Sequence, residues 1–140
     1  MKIDRPGIYL HIPFCLRKCP YCDFTSYPLA EVEYEEQVGR YITALLQEIS
    51  LRQEWLESME TRPTTFHSLY IGGGTPSLLA SAHLAKLLGA IRQSLPLTKT
   101  AEITLEVNPG TTTQEQFITW QELGINRLSL GVQSLDDNFL

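Results

Sequence analysis

Short runs of β-branched and aromatic residues alternate along this chain with longer stretches whose apolar positions recur every three or four residues. Gly7–Ile12, closed by Pro13, reads as a first strand. From Glu31 to about Met59 the residues Tyr34, Val38, Ile42, Leu45, Ile49 and Leu56 mark one face of a long amphipathic helix. Glu31, Glu33, Glu35 and Glu36 sit in its first turns, where negative charge suits the helix dipole. Thr61–Thr65 breaks the pattern. Phe66–Ile71 then predicts strand two, which runs straight into Gly72-Gly-Gly-Thr-Pro-Ser77. Ser81 is the expected N-cap of a second helix carrying Leu84, Leu87, Leu88 and Ile91. Ala101–Val107 alternates as strand three and stops at Asn108-Pro-Gly110. Thr113 and Gln116 have capping-box spacing and open a short helix through Phe117, Trp120 and Leu123, with Gly124 at its end. Ile125–Val132 predicts strand four, with Leu128 and Leu130 on one face, and Gln133–Asp137 the entry to a fourth helix.

Strand and helix thus alternate through about four βα units, which predicts an α/β fold with parallel strands and right-handed crossovers. In barrels of this kind the chemistry lies at the C-terminal ends of the strands. The suggestive groups fall at those ends: cysteines after strand one, glycines after two, Glu106-Val-Asn-Pro109 at three and Gly131-Val-Gln133 at four. One composite site is the expectation.

Composition narrows the class. The chain has 140 residues, about one domain, and is 43% hydrophobic and 19% charged, so it can bury a core. Its net charge of −5, with no Lys/Arg cluster on any one element, gives no nucleic-acid footprint. No apolar run is long enough to span a bilayer, and Met1-Lys-Ile-Asp-Arg-Pro6 has no leader-like apolar stretch. A cytoplasmic location is expected. No Gly-Lys-Ser/Thr follows the glycine run, which excludes a nucleotide P-loop.

All three cysteines, Cys15, Cys19 and Cys22, fall within eight residues as C-x3-C-x2-C. An odd cysteine count held in one motif argues against a disulfide framework and for a reducing compartment. Four thiolates saturate a cubane iron–sulfur cluster, so three leave one iron without a protein ligand. An open metal position is what a reactive site needs. Two plainer readings stand beside this one: three unrelated buried thiols, or a Cys3His zinc site that includes His11. Alternation along strand one puts His11 on the face opposite Leu10 and Ile12, which favours a packed histidine, or one set behind the ligands. Alone, the glycine run suits a tight turn equally well, and Glu106 a solvated strand end.

The cysteine spacing, with Tyr21 before the last cysteine, resembles the signature of the radical S-adenosylmethionine (SAM) superfamily. Tyr9-Leu-His-Ile-Pro-Phe-Cys15, Gly72-Gly-Gly-Thr-Pro-Ser77, Glu106-Val-Asn-Pro109 and Gly124–Ser134 together resemble its coproporphyrinogen III dehydrogenase and HemW branch. The resemblance implies a partial TIM-type barrel in which Cys15, Cys19 and Cys22 hold a [4Fe–4S] cluster. It implies that Tyr21 and Gly73 contact SAM on the open iron, with Tyr9 close by and Gly74 and Thr75 lining the same pocket. Glu106 is implied to help hold SAM, and Gln133 matches a residue at a second SAM site in the dehydrogenases. A reduced cluster would pass one electron, supplied by a donor such as a flavodoxin or ferredoxin, to the SAM sulfonium.

Within that branch the dehydrogenases usually carry a further cysteine two residues after the third, where this chain has Phe24, and a longer N-terminal arm. Both departures resemble HemW, which implies heme binding and trafficking rather than porphyrinogen oxidation. The alternatives are a coproporphyrinogen III oxidase activity and a non-catalytic remnant. Radical SAM barrels carry six strands or more, so residues 1–140 are expected to be the N-terminal part of such a core domain.

Overall fold

The computed structural model describes residues 5–61, 65–136 and 138. Its centre is a four-stranded sheet of β1 (Gly7–Ile12), β4 (Phe66–Gly73), β5 (Leu97–Val107) and β6 (Arg127–Leu130), all parallel and ordered as in the sequence. Two-residue strands β2 (Phe14–Cys15) and β3 (Tyr27–Pro28) pair separately in the cysteine loop. Helices α1 (Glu31–Glu57), α2 (Ser81–Ser94) and α3 (Gln114–Glu122) connect the long strands.

One sheet face is the core. Leu10, Ile12, Leu69, Ile71, Ile103, Leu105 and Val107 are buried with Val38, Ile42, Leu45 and Ile49 of α1 and Leu84, Leu87, Leu88 and Ile91 of α2. Those helical positions are the ones the apolar spacing predicts. The other face is polar and aromatic: the register sets Tyr9 beside Tyr70, Tyr70 beside Thr104, Thr104 beside Arg127, and Glu106 beside Ser129.

Several boundaries differ from the sequence expectation. Strand three begins at Leu97 rather than Ala101, because Phe66 N–H donates to the Pro96 carbonyl and Phe66 pairs with Leu97. Strand four is only Arg127–Leu130, and Leu128 and Leu130 are both exposed. Residues 133–136 carry no helix, and Gln133 takes a positive φ of 66°. Ser81 is the first helical residue and not the cap. The first bonds of α2, from the His83 and Leu84 N–H groups, go to the Ala80 carbonyl. The capping box at Thr113 and Gln116 is complete, and Trp120 on α3 is buried. Residues 62–64 of the expected break lie outside the described residues.

The Tyr34 hydroxyl is buried, with no hydrogen-bond partner among the described residues. Burial, helped by the nearby Glu35 and Cys15, pushes its pKa from 10.0 up to about 12. A folded-state pKa above the unfolded value means that this stability is complete below about pH 10 and is lost as pH rises towards 12. Tyr34→Phe keeps the ring against Phe14 and removes the orphan hydroxyl. Denaturant titrations on either side of pH 10 should find the variant more stable by about 1 kcal/mol at neutral pH and less sensitive to alkali.

Candidate functional site

At the C-terminal end of the sheet a cleft of about 460 Å³ is lined by Cys15, Cys19 and Cys22, by Gly73, Gly74 and Thr75, and by Glu106, Gly131 and Gln133. Groups from all four strand ends therefore share one opening. Tyr21 and Phe24 also line it.

Backbone pairing folds the cysteine loop onto the glycine turn. Gly74 N–H donates to the Ile12 carbonyl at 2.8 Å and Thr75 N–H to the Phe14 carbonyl at 2.8 Å. Tyr27 and Leu29 N–H groups donate back to the Pro13 and Cys15 carbonyls, and Lys18 Nζ bonds the Phe24 carbonyl and Ser26 Oγ. Cys22 N–H donates to the Cys19 carbonyl, which turns the loop so that both side chains border the cleft.

The glycines are there for space. Gly73 has φ +125°, and a Cβ would lie 2.7 Å from the His11 ring and 2.9 Å from the Ile12 carbonyl oxygen. At Gly74 it would lie 2.6 Å from the Phe14 carbonyl oxygen and 2.9 Å from Cys15 Sγ. This is the close backbone approach that only glycine permits.

Glu106 is held at both oxygens. Tyr70 Oη donates to Oε1 at 2.7 Å, and Gly73 N–H donates to Oε2 at 2.9 Å. Ser129 works to lower the Tyr70 hydroxyl pKa, but the bond to Glu106, burial and the Glu106 charge raise it overall. Tyr21 is exposed, and the neighbouring Cys19 is the main reason its hydroxyl pKa is raised. Gln133, in the left-handed region that non-glycine residues seldom occupy, borders the cleft beside Gly131.

Tyr9 is the one candidate outside this lining. It stacks on Tyr70 with ring centroids 6.1 Å apart, donates to His11 Nδ1 at 2.9 Å, and borders a groove between β1 and α1. His11 Nε2–H in turn donates to the Thr25 carbonyl at 2.8 Å, so Tyr9 is tied to the cysteine loop through His11. Tyr70, Asn108 and Ser129 also belong to the site; Asn108 and Ser129 lie in motifs read from the sequence, but none of the three carries a role there. Only strand alternation could have pointed to Tyr70, two residues before Gly72.

The radical SAM superfamily model matches residues 9–140. The chain belongs to the radical SAM superfamily. Curated relatives named heme chaperone HemW are similar to it over nearly its whole length. The Escherichia coli (strain K12) protein is 40% identical over 100% of this chain and 35% of its own length. The Haemophilus influenzae protein is 41% identical over 99% and 35%, and the Synechocystis protein 42% over 94% and 31%. The chain thus spans about a third of the length of the curated relatives it matches. Among solved structures, the radical SAM enzyme coproporphyrinogen III oxidase (HemN) from Escherichia coli superposes with a TM-score of 0.79 at 32% identity, covering 96% of this chain and 29% of that one. The α/β fold with a parallel sheet is therefore a partial radical SAM barrel.

Radical SAM membership brings a [4Fe–4S] cluster and SAM as cofactors, and the residues of the cleft fit both. The donors are three thiols on one loop, none in a disulfide. Among the described residues no three His, Cys, Asp or Glu side chains converge as they would around a single ion. A cubane spreads its thiolates over separate irons and does not require that convergence. A Cys3His zinc site does require it, and His11 has both ring nitrogens engaged elsewhere. The zinc alternative does not fit. Among the described residues no helix is long and apolar enough to cross a membrane.

Proposed function

We propose that Cys15, Cys19 and Cys22 hold the [4Fe–4S] cluster, and that SAM lies in the cleft between the open iron and the ends of β4 to β6. The supporting observation is that the three thiols, the glycine turn, Glu106 and Gln133 border one cleft. SAM carries an ammonium and a carboxylate. Glu106, anchored by Tyr70 and Gly73, is a fixed anion for the ammonium. The Gly73–Gly74 backbone lies against the cysteine loop, and with both its N–H groups engaged its carbonyls are the groups left to meet the same ligand. Gly131, Gln133 and Tyr21 line the same cleft. When bound, the cluster supplies one electron to the sulfonium; these side chains position SAM and keep water away.

The function this site supports best is that of a HemW-type heme chaperone working in the cytoplasm. Its electron donor is a low-potential protein such as a flavodoxin or ferredoxin. Phe24 carries the distinction from a coproporphyrinogen III oxidase: it borders the cleft at the position where the dehydrogenases place a further cysteine. In this reading residues 1–140 build the first four strands of the radical SAM core. The test is anaerobic heme titration of the reconstituted protein beside Escherichia coli HemW, followed by incubation with coproporphyrinogen III, SAM and reductant. A shift of the heme absorption band without protoporphyrinogen IX is the expected result. Protoporphyrinogen IX formation would establish the oxidase reading instead.

Tyr70 supplies a sharper check on the SAM site. Tyr70→Phe removes one of the two donors that fix Glu106 and leaves the ring in place. SAM affinity should fall about fivefold, corresponding to ~1 kcal/mol for one hydrogen bond. In a Glu106→Gln background the same change should add little, because it acts through that carboxylate. Isothermal titration with SAM measures both.

A further inference from the structure

Among the described residues one hydroxyl reaches a cysteine sulfur from outside the cysteine loop. Thr75 is 5% exposed, and its Oγ1 lies 3.5 Å from Cys15 Sγ and 3.2 Å from Asn108 Nδ2. Its backbone is pinned separately, N–H to the Phe14 carbonyl, and Leu78 N–H donates to its carbonyl. The hydroxyl is thus left to these two partners. A thiolate that ligates iron has no proton and only accepts, so Thr75 must be the donor to Cys15. The Thr75 lone pair then accepts from the Asn108 amide, which fixes the direction of the whole relay from Asn108 through Thr75 to Cys15. This chain links the end of β5, the turn after β4 and the loop after β1. Burial keeps water from replacing the middle link, and each bond polarises the next.

We infer that Thr75, oriented by Asn108, is a potential-setting residue whose hydrogen bond to Cys15 makes the bound cluster easier to reduce. The inference rests on Cys15 being a cluster ligand. Hydrogen bonds to the ligating sulfurs are among the factors that set cluster potentials. One electron from a low-potential donor adds negative charge that spreads onto those sulfurs, and a donor aimed at Cys15 stabilises the added charge. No bond is made or broken. The relay also ties the potential to the SAM cleft, because Asn108 lines that cleft beside Glu106.

The test is a dithionite titration with redox mediators, without SAM, following the reduced cluster by EPR in wild type, Thr75→Val, Thr75→Ser and Asn108→Ala. Thr75→Val keeps the shape and removes the donor. At the wild-type midpoint its ratio of reduced to oxidised cluster should fall by about three- to tenfold, where tenfold corresponds to about 59 mV for one electron. Thr75→Ser should restore the wild-type midpoint, and Asn108→Ala should shift it less but in the same direction. Iron content and thermal midpoint should stay as in wild type, which a purely structural role for Thr75 would not allow. A Thr75→Val protein with full iron content and an unchanged midpoint overturns the inference. If the valine variant does not take up iron, an unchanged midpoint in Asn108→Ala overturns it equally. Failure of the wild type itself to bind iron would instead refute the assignment of the cysteines.

Discussion

Replacing any one of Cys15, Cys19 or Cys22 by Ala is expected to abolish the cluster, with iron and sulfide falling to background after anaerobic reconstitution. Residues 1–140 hold three cysteines, all in this motif, so no spare cysteine within them can move in. Two ligands leave a cubane with two open irons and no tether for its third corner. The fold should survive, because Cys19 is exposed and Cys15 and Cys22 are only partly buried. Circular dichroism and thermal midpoint should therefore match wild type while the visible absorbance disappears. Cys→Ser variants should retain part of the iron, since an oxygen ligand partly substitutes for sulfur. An alanine variant with full iron content would remove that cysteine from the ligand set.

Gly73→Ala should be the most damaging single methyl added to this chain. A φ of +125° lies where only glycine is comfortable, and holding alanine there costs on the order of 1–3 kcal/mol. The new Cβ would also meet the His11 ring at 2.7 Å and the Ile12 carbonyl oxygen at 2.9 Å, a backbone atom that has little freedom to retreat. Overpacking of this kind adds roughly 1–3 kcal/mol. Against a typical domain stability of about 5–15 kcal/mol, the sum is a large share. The thermal midpoint should drop by roughly 10 °C or more. Function should suffer further, because Gly73 N–H holds Glu106 and His11 braces the cysteine loop through Thr25. Differential scanning calorimetry with a parallel iron-uptake assay tests both effects. Wild-type values in both would show that the turn does not need its observed backbone.

The parts of this architecture that depend on local pattern are legible in the sequence. The apolar stripe of α1 and the capping box at Thr113 and Gln116 are examples, because each is decided within a few turns of chain. The clustering of chemistry at strand ends is legible too, since it needs only strand order. What depends on pairing across long separations is not. Polar Thr98 and Lys99 do not read as strand, yet β5 includes them. Strand four loses Val132 because the chain turns away at Gly131, with Gln133 in the left-handed region. The β2–β3 pair joins residues thirteen apart across a loop, and two residues give no periodicity to detect. Tyr70 belongs to the site only because register brings it to Glu106, 36 residues later. Tyr9, read as a neighbour of SAM, lies outside the cleft lining, stacked on Tyr70 with its hydroxyl on His11.

The central claim is a three-cysteine cluster whose open iron takes SAM in the cleft bordered by Glu106. EPR of the anaerobically reconstituted, dithionite-reduced protein, recorded with and without SAM, tests it most directly. The expected result is a [4Fe–4S]⁺ signal whose g-values shift when SAM is added, with the shift weakened in Glu106→Gln. A cluster signal indifferent to SAM, or stoichiometric zinc with no iron uptake, would contradict it.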